Sequence, residues 1–167
     1  MYTLSELNQM DQSAFTNALG AVFEETPAIA HDSWHHRPFE TLEQLHQVMV
    51  DIVRSFSREQ QLVLIRAHPD LGSRATMADA SVEEQASVGL NQLTPAEYDV
   101  IQSLNNDYKN RFDMPFIIAV KQHTKASIFD AFRQRLTHSP DLEIHQALEE
   151  IATIARFRLD GLIQRTQ

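Results

Sequence analysis

The chain has 167 residues, 43% of them hydrophobic, which is enough for one sizeable core but too few for two comfortable domains. Its net charge of −9, without any run of lysine or arginine, argues against nucleic acid or an anionic membrane surface as a partner. Cysteine is absent, and no stretch approaches the roughly 20 apolar residues of a membrane-spanning helix, so neither thiol chemistry nor a membrane anchor is expected. We expect a single soluble domain over residues 1–167, located in the cytoplasm.

The pattern of glycine, proline and apolar residues predicts an all-α fold. Only four glycines and six prolines are present, and the apolar residues recur at intervals of three and four. In chain order, clear helices are predicted from Asp11 to Glu25, from Thr41 to Phe56 and from Pro140 to about Gln164, each with one apolar face. We expect a single-domain bundle of about seven to nine helices.

Several helix starts are marked by the capping-box pattern, in which Ser or Thr is followed three residues later by Glu or Gln. This pattern, or a Ser-Pro pair, occurs at Thr41, Ser57, Ser81, Thr94 and Ser139. The helix that begins at Ser57 should end at His68, because Pro69 disfavours helical dihedral angles at the residue before it.

Two segments do not follow the helical pattern. The first, "IRAHPDLGSR" at residues 65–74, places a histidine directly before a proline. The second, "MPFIIAV" at residues 114–120, suits either a buried extended segment or a helical turn. If both segments are buried, their backbone groups need hydrogen-bond partners, and a ligand can supply some of them.

Four residues are candidates for chemistry, and each also has a purely structural interpretation. His68 either caps a helix C-terminus or acts as an acid or base, because histidine exchanges protons near neutral pH. Glu84 either closes a capping box or holds a polar ligand at a helix N-terminus. Arg156 and Arg158 lie in an apolar part of the last helix, where an arginine either reaches solvent or pairs with a buried anion.

The segment "HDSWHHRPF" carries three histidines around Trp34. His31 and His35 could grip a metal ion if the segment were helical, but no third ligand follows at a supporting spacing, which favours a structural or solvated cluster with His36. The H-E-x-x-H, G-x-S-x-G, G-x-G-x-x-G and P-loop motifs are absent from the sequence. Neither a metal nor a cofactor is therefore expected.

Four longer motifs occur in a fixed order: "HPDLGSR", "SVEEQASVGL", "LNNDYKNRFDMPFIIAVK" and "ALEEIATIARFRL". In this order and at these spacings, the sequence resembles the 2-oxo-4-hydroxy-4-carboxy-5-ureidoimidazoline (OHCU) decarboxylase family of urate breakdown. The resemblance extends over nearly the whole chain, from residues 10–30 through "RPF" at residues 37–39 into the last helix.

The resemblance implies an all-α enzyme that decarboxylates OHCU to (S)-allantoin without a cofactor. It implies catalytic roles for His68, Glu84 and Arg158, with Arg156 replacing Arg158 if the register is shifted by two residues. The substrate-binding residues that it implies are Pro69, Ser81, Val82, Glu83, Gln85, Phe116, Ile117, Ile118, Ala119 and Val120. The expected partners are a small-molecule substrate and, because dimers are common in that family, a second copy of the chain.

Two other classes of function remain open from the residues alone. In the first, the protein is an all-α interaction module whose segment 114–120 forms a groove for a partner, and the three candidate catalytic side chains do not converge. In the second, the histidines around Trp34 bind zinc and the protein is a metal hydrolase.

Overall fold

A computed structural model describes residues 1–73 and 79–165. Within these ranges the chain forms α-helices, two short 3-10 helices and no β-strand, which confirms the predicted all-α class. The α-helices are α1 Leu4–Gln9, α2 Gln12–Leu19, α3 Ala28–Ser33, α4 Leu42–Ser55, α5 Arg58–Arg66, α6 Asp79–Ser87, α7 Pro95–Phe112, α8 Lys125–Arg135 and α9 Pro140–Leu162. None of these described helices combines the length and the apolar character that a membrane span requires. Arg74, the last residue of "HPDLGSR", lies outside the described residues.

The contacts divide the chain into two compact units. The first unit contains residues 1–64 and 152–167, and the second contains residues 65–151. The chain passes from one unit to the other within α5 and within α9. The single domain expected over residues 1–167 stays a prediction.

The first unit is built on an apolar core in which α3 packs against α2 and α4. Its N-terminus is tied to the end of α9, because Tyr2 N–H donates to the Leu162 carbonyl at 2.7 Å and the Tyr2 carbonyl accepts from Gln164 at 2.8 Å. The fully buried apolar side chains of this unit include Leu7, Phe15, Leu19, Ile29, Phe39, Leu45, Met49, Ala155 and Leu159.

The helix predicted over Asp11–Glu25 is shorter than expected. α2 ends at Leu19, and the chain turns after Gly20. Residues 22–24 are all buried. Consecutive residues lie roughly 100° apart around a helix, so one helical face cannot bury all three of them. The prediction of one helix to Glu25 is therefore wrong, although its apolar residues do enter the core.

Most of the predicted helix starts are confirmed by side-chain caps. In each, the hydroxyl accepts a hydrogen bond from the N–H three residues later, at 3.1 or 3.2 Å. The confirmed caps are Thr41, Ser57, Thr94 and Ser139.

Ser81 does not cap a helix. α6 already includes Asp79 and Ala80, and Ser81 is buried within it. Gln85, four residues later, is also buried, so the two polar side chains share the inward face of α6. The capping-box interpretation of Ser81 with Glu84 is therefore wrong.

In the second unit, an aromatic cluster forms around Tyr108 on α7. The Phe116 and Phe132 rings are stacked with their centroids 3.8 Å apart, and Tyr108 meets both edge to face, at 5.4 and 6.0 Å. The Tyr108 hydroxyl donates to the buried Glu143 carboxylate on α9 at 2.7 Å. Burial raises the pKa of Tyr108, and the bond to Glu143 raises it further, so the phenol keeps its proton as a donor.

Two glycines with positive φ allow a test of how tightly the loop after α5 is packed. Gly72 lies in that loop, and Gly89, which follows α6, is the comparison. Gly72 has φ 63° and Gly89 has φ 80°. A Cβ on Gly72 would lie 2.9 Å from Leu93 Cδ1 and 3.2 Å from Ile101 Cγ2, whereas a Cβ on Gly89 would lie no closer than 3.8 Å to the Lys125 side chain.

Gly89→Ala should lower the free energy of unfolding by about 1 kcal/mol, through left-handed backbone strain alone. Gly72→Ala should lower it by about 2–3 kcal/mol, because crowding of a packed core adds to the same strain. Urea denaturation of the two variants measures both values. Equal losses would show that the Gly72 loop is not tightly packed.

Candidate functional site

His68 lies just beyond the C-terminus of α5, as the sequence predicts. α5 ends at Arg66, and the His68 N–H donates to the Ile65 carbonyl at 3.2 Å. The residue is buried, with 8% of its surface exposed. Since Pro69 follows directly and prevents helical continuation, the imidazole is held at the helix end.

The loop that follows His68 is held by side chains from two helices. The Gly72 N–H donates to Gln85 Oε1 on α6 at 3.0 Å, and Asn105 Nδ2 on α7 donates to the Leu71 carbonyl at 3.0 Å. Gln85 and Asn105 are themselves buried. These bonds pair backbone groups that would otherwise lack partners, and they fix the loop against α6 and α7.

A cavity of about 280 Å³ opens beside His68. It is lined by Arg66, His68, Asp70, Lys109, Asp113, Met114 and Pro115. Two ion pairs lie on its rim, Lys109 with Asp70 at 2.5 Å and Arg66 with Asp113 at 3.0 Å. Of the site residues predicted from the sequence, His68 alone lines this cavity, so the cavity does not by itself make up the predicted pocket.

α6 brings two of its predicted site residues inward. Ser81 and Gln85 are buried and Glu84 is half-buried, whereas Glu83 and Val82 are exposed, Val82 to 45%. α6 also packs against the 3-10 helix Val120–Gln122, which begins at the last residue of segment 114–120. Through the Gln85 bond and this packing, α6 contacts the loop after His68 and the 3-10 helix that continues from segment 114–120.

Segment 114–120 is buried and non-helical over residues 114–119, which confirms one of the two interpretations left open by its sequence. Its backbone is bonded by side chains, because the Ile117 carbonyl accepts from Arg135 NH1 at 2.5 Å and the Ala119 N–H donates to Glu150 Oε2 at 2.9 Å. All seven side chains are buried, so the segment does not form the exposed groove that the interaction-module alternative requires.

Arg158 lies in the first unit and is buried, with 9% of its surface exposed. Its NH1 forms an ion pair of 3.0 Å with the buried Glu24 carboxylate and lies 3.4 Å from the carbonyl oxygens of Ala21 and Val22. Of the two interpretations of this arginine, pairing with a buried anion is the correct one.

Arg156 points to the surface of the same unit. It is 28% exposed and pairs with Glu43 at 2.7 Å and Asp160 at 3.2 Å. The hydrogen bond from Arg156 lowers the pKa of Glu43 below its usual value. Arg158, and not Arg156, is therefore the arginine that the fold buries.

The histidine cluster around Trp34 contacts protein groups. His31 Nδ1 lies 3.0 Å from Asp32 Oδ1, and the Gln12 amide nitrogen lies 3.2 Å from His35 Nε2. Across residues 1–73 and 79–165, no group of three or more His, Asp or Glu side chains is arranged to hold a metal ion.

The partners that hold the candidate site in place are not predicted by the sequence. They are Glu24, Asn105, Arg135, Glu143 and Glu150. Glu24 had one usable signal, since an inward arginine requires a buried anion. The others sit at ordinary helical positions, where the sequence does not distinguish a buried polar residue from an exposed one.

The chain was compared with known sequence families, with individual proteins and with solved structures, and all three comparisons identify proteins of OHCU decarboxylation or urate degradation. Residues 8–160 match the sequence family described as OHCU decarboxylase. The chain is 44% identical, over 96% of its length and 91% of the relative's, to the 2-oxo-4-hydroxy-4-carboxy-5-ureidoimidazoline decarboxylase of Halalkalicoccus jeotgali. It is 47% identical to the uric acid degradation bifunctional protein PucL of Bacillus subtilis, over 98% of this chain and 33% of that one. Among solved structures, it is similar to (S)-allantoin synthase, with a TM-score of 0.78 and 30% identity over 97% of this chain and 54% of that one.

The Glu24–Arg158 pair provides a test of buried charge in the first unit. Glu24→Gln should lower the free energy of unfolding by about 3 kcal/mol, because it leaves a buried guanidinium without its counter-charge. Glu43→Gln is the matched control, since it removes the charge of an exposed partner of Arg156 in the same unit and leaves Asp160 as the other partner. The control should leave stability essentially unchanged. Thermal and urea unfolding measure both, and similar effects for the two variants would contradict a buried charge pair.

Proposed function

This chain belongs to the OHCU decarboxylase family, and on that premise we propose that it catalyses the decarboxylation of OHCU to (S)-allantoin in urate degradation. The observation that carries the proposal is the buried imidazole of His68, held at a helix end by Pro69 in a loop that Gln85 and Asn105 fix. This position suits a group that must deliver a proton from one direction.

The reaction requires little of the protein besides proton transfer and orientation. The carboxylate of OHCU sits on a carbon next to a ring C=N bond. When the C–C bond breaks and carbon dioxide leaves, the electron pair moves through that bond to the ring nitrogen, which takes a proton. The hydroxyl on the first carbon then becomes a carbonyl as it loses its proton, and the ureido-bearing carbon gains one. The proposed reaction needs no cofactor, because the substrate supplies its own electron sink.

The proposed roles follow from the chemistry of the three side chains. His68 moves the proton at the ring and delivers it to one face of the ureido-bearing carbon. Glu84 hydrogen-bonds to the substrate through its carboxylate. Arg158 holds an anionic group of the substrate through its planar guanidinium, which has five N–H donors and so can pair with Glu24 as well.

The substrate-binding residues are proposed from the same resemblance. They are Pro69, Ser81, Val82, Glu83, Gln85 and the five residues from Phe116 to Val120. Burial of Ser81, Gln85 and segment 116–120 supports their part in a desolvated pocket, whereas Val82 and Glu83 are exposed and have less structural support. The proposal also includes a homodimer, which rests on the family resemblance, and a cytoplasmic location, for which the cysteine-free composition is the support.

Activity is tested by generating the unstable OHCU in situ, adding the protein and following optical activity as allantoin forms. The wild-type protein should give optically active (S)-allantoin, whereas spontaneous decay gives a product without optical activity. An optically inactive product at the spontaneous rate would contradict the proposed function.

His68→Asn should lower the rate of (S)-allantoin formation by about 10²- to 10⁴-fold, because it removes the group proposed to transfer the proton. His145→Asn, which changes an exposed histidine on α9, is the matched control and should retain full activity. Far-UV circular dichroism should show the same helical content in both variants. A His68→Asn rate within about threefold of wild type would exclude the proposed role.

Variants of Arg156 and Arg158 show which of the two arginines of the last helix has the proposed catalytic role. Arg158→Lys should lower kcat/KM by roughly 10- to 100-fold, because lysine cannot reproduce a planar two-point contact with an anion. Arg156→Lys should stay within about threefold, since its partners are surface carboxylates. The reverse result would assign the catalytic role to Arg156.

A further inference from the structure

Two side chains fix the direction of the peptide groups on either side of Ile118. Arg135 NH1 on α8 donates to the Ile117 carbonyl at 2.5 Å, and Glu150 Oε2 on α9 accepts from the Ala119 N–H at 2.9 Å. Both peptide bonds are trans. The C=O and N–H of a trans peptide point in opposite directions.

This geometry determines where the polar groups of Ile118 point. The Ile117 carbonyl faces Arg135, so the Ile118 N–H, in the same peptide group, points away from Arg135. The Ala119 N–H faces Glu150, so the Ile118 carbonyl points away from Glu150. One residue therefore directs an adjacent donor and acceptor away from the two side chains that hold its neighbours.

The Ile118 groups have no hydrogen-bond partner within residues 1–73 and 79–165, although only 4% of the residue is exposed. Buried backbone donors and acceptors are nearly always paired. A ligand group that has an acceptor next to a donor could hydrogen-bond to both the N–H and the C=O of Ile118.

The two holding side chains are themselves firmly placed. The Arg135 guanidinium donates from Nε to the fully buried Glu143 carboxylate at 2.8 Å and lies 4.3 Å from the centroid of the Phe116 ring. Glu150 accepts a second bond, from Gln146 Nε2, at 3.1 Å. Rotation of the Ile118 peptide groups would break bonds to both side chains, so the segment is set in one orientation before any ligand binds.

We propose that Arg135 and Glu150 are positioning residues for the decarboxylation, which hold segment 116–120 so that the Ile118 N–H and C=O contact the substrate. The inference rests on the proposed function, because OHCU carries ring amide and ureido groups in which an N–H lies next to a C=O. Such a group can accept from the Ile118 N–H and donate to its carbonyl. Arg135 and Glu150 do not touch the substrate and act through the backbone.

The test compares three variants on α9. Glu150→Leu removes the acceptor for the Ala119 N–H, Glu150→Gln keeps an acceptor oxygen at the same place, and Gln146→Ala removes the other bond to Glu150 without changing the segment. Glu150→Leu should raise KM for OHCU, and Kd for (S)-allantoin by calorimetry, about tenfold, with kcat within about threefold, because binding in the ground state is lost. Glu150→Gln and Gln146→Ala should stay within about threefold of wild type in both constants.

Comparison of Gln146→Ala with Glu150→Leu separates a positioning role of Glu150 from a role in stability alone. Thermal unfolding measures the stability of both variants. Gln146→Ala removes one bond to Glu150, and Glu150→Leu removes that bond together with the bond from the Ala119 N–H, so a higher KM in Glu150→Leu alone reports the loss of the Ala119 bond. Equal KM values in these two variants, or a Glu150→Gln as impaired as Glu150→Leu, would overturn the proposal. If wild type forms (S)-allantoin while Glu150→Leu behaves like Gln146→Ala, only the positioning role fails. If wild type is inactive, the proposed function itself fails.

Amide hydrogen exchange of the wild-type protein gives a second readout that does not need a variant to fold. The Ala119 amide should be protected with and without (S)-allantoin, because Glu150 already accepts its bond. The Ile118 amide should exchange faster than Ala119 in the free protein and become protected when (S)-allantoin is added. An Ile118 amide whose exchange does not change at saturating (S)-allantoin would overturn the proposal.

Discussion

The hydrogen bonding of buried non-helical backbone is the constraint on which the second unit depends. Two segments there leave the helical pattern, and a buried backbone group without a partner costs about 1–3 kcal/mol. Helix side chains supply the partners, Gln85 and Asn105 for the loop after His68 and Arg135 and Glu150 for segment 114–120. The bonds that stabilise these segments also fix the positions of the residues proposed to bind and convert the substrate.

This arrangement suits a reaction in which the substrate carries its own electron sink. The protein then has to hold the substrate in one orientation and deliver a proton to one face, and both tasks require groups that are positioned before binding. Pro69 holds the imidazole by ending α5, and the buried Glu24 holds the guanidinium of Arg158 within the first unit. His68 and Arg158 are thus each restrained by a neighbouring residue that is not itself proposed to be catalytic.

Local signals in the sequence predicted much of the fold because helix starts depend on nearby residues. Thr41, Ser57, Thr94 and Ser139 cap helices where the pattern placed them, since each cap bonds to an N–H only three residues away. The same pattern failed at Ser81, where burial of a polar face, and not capping, determines the side chain's position.

The polar partners of the candidate site could not be predicted in this way. Glu24 and Arg158 lie near opposite ends of the chain, and no periodicity or spacing relates them. Glu150 lies in a helix rich in acidic residues, and its sequence context does not distinguish it from the exposed Glu149 beside it. Such pairs are set by tertiary packing, whereas the motifs of the family indicated His68, Glu84 and Arg158 without indicating what holds them.

We propose that His68, Glu84 and Arg158 act on one ligand, and an NMR titration of the isotope-labelled protein with (S)-allantoin can decide whether they do. The resonances of the His68 imidazole, the Glu84 carboxyl and the Arg158 guanidinium should all shift along one binding curve with a single Kd. Shifts confined to residues of one unit, or different Kd values for the three side chains, would contradict it.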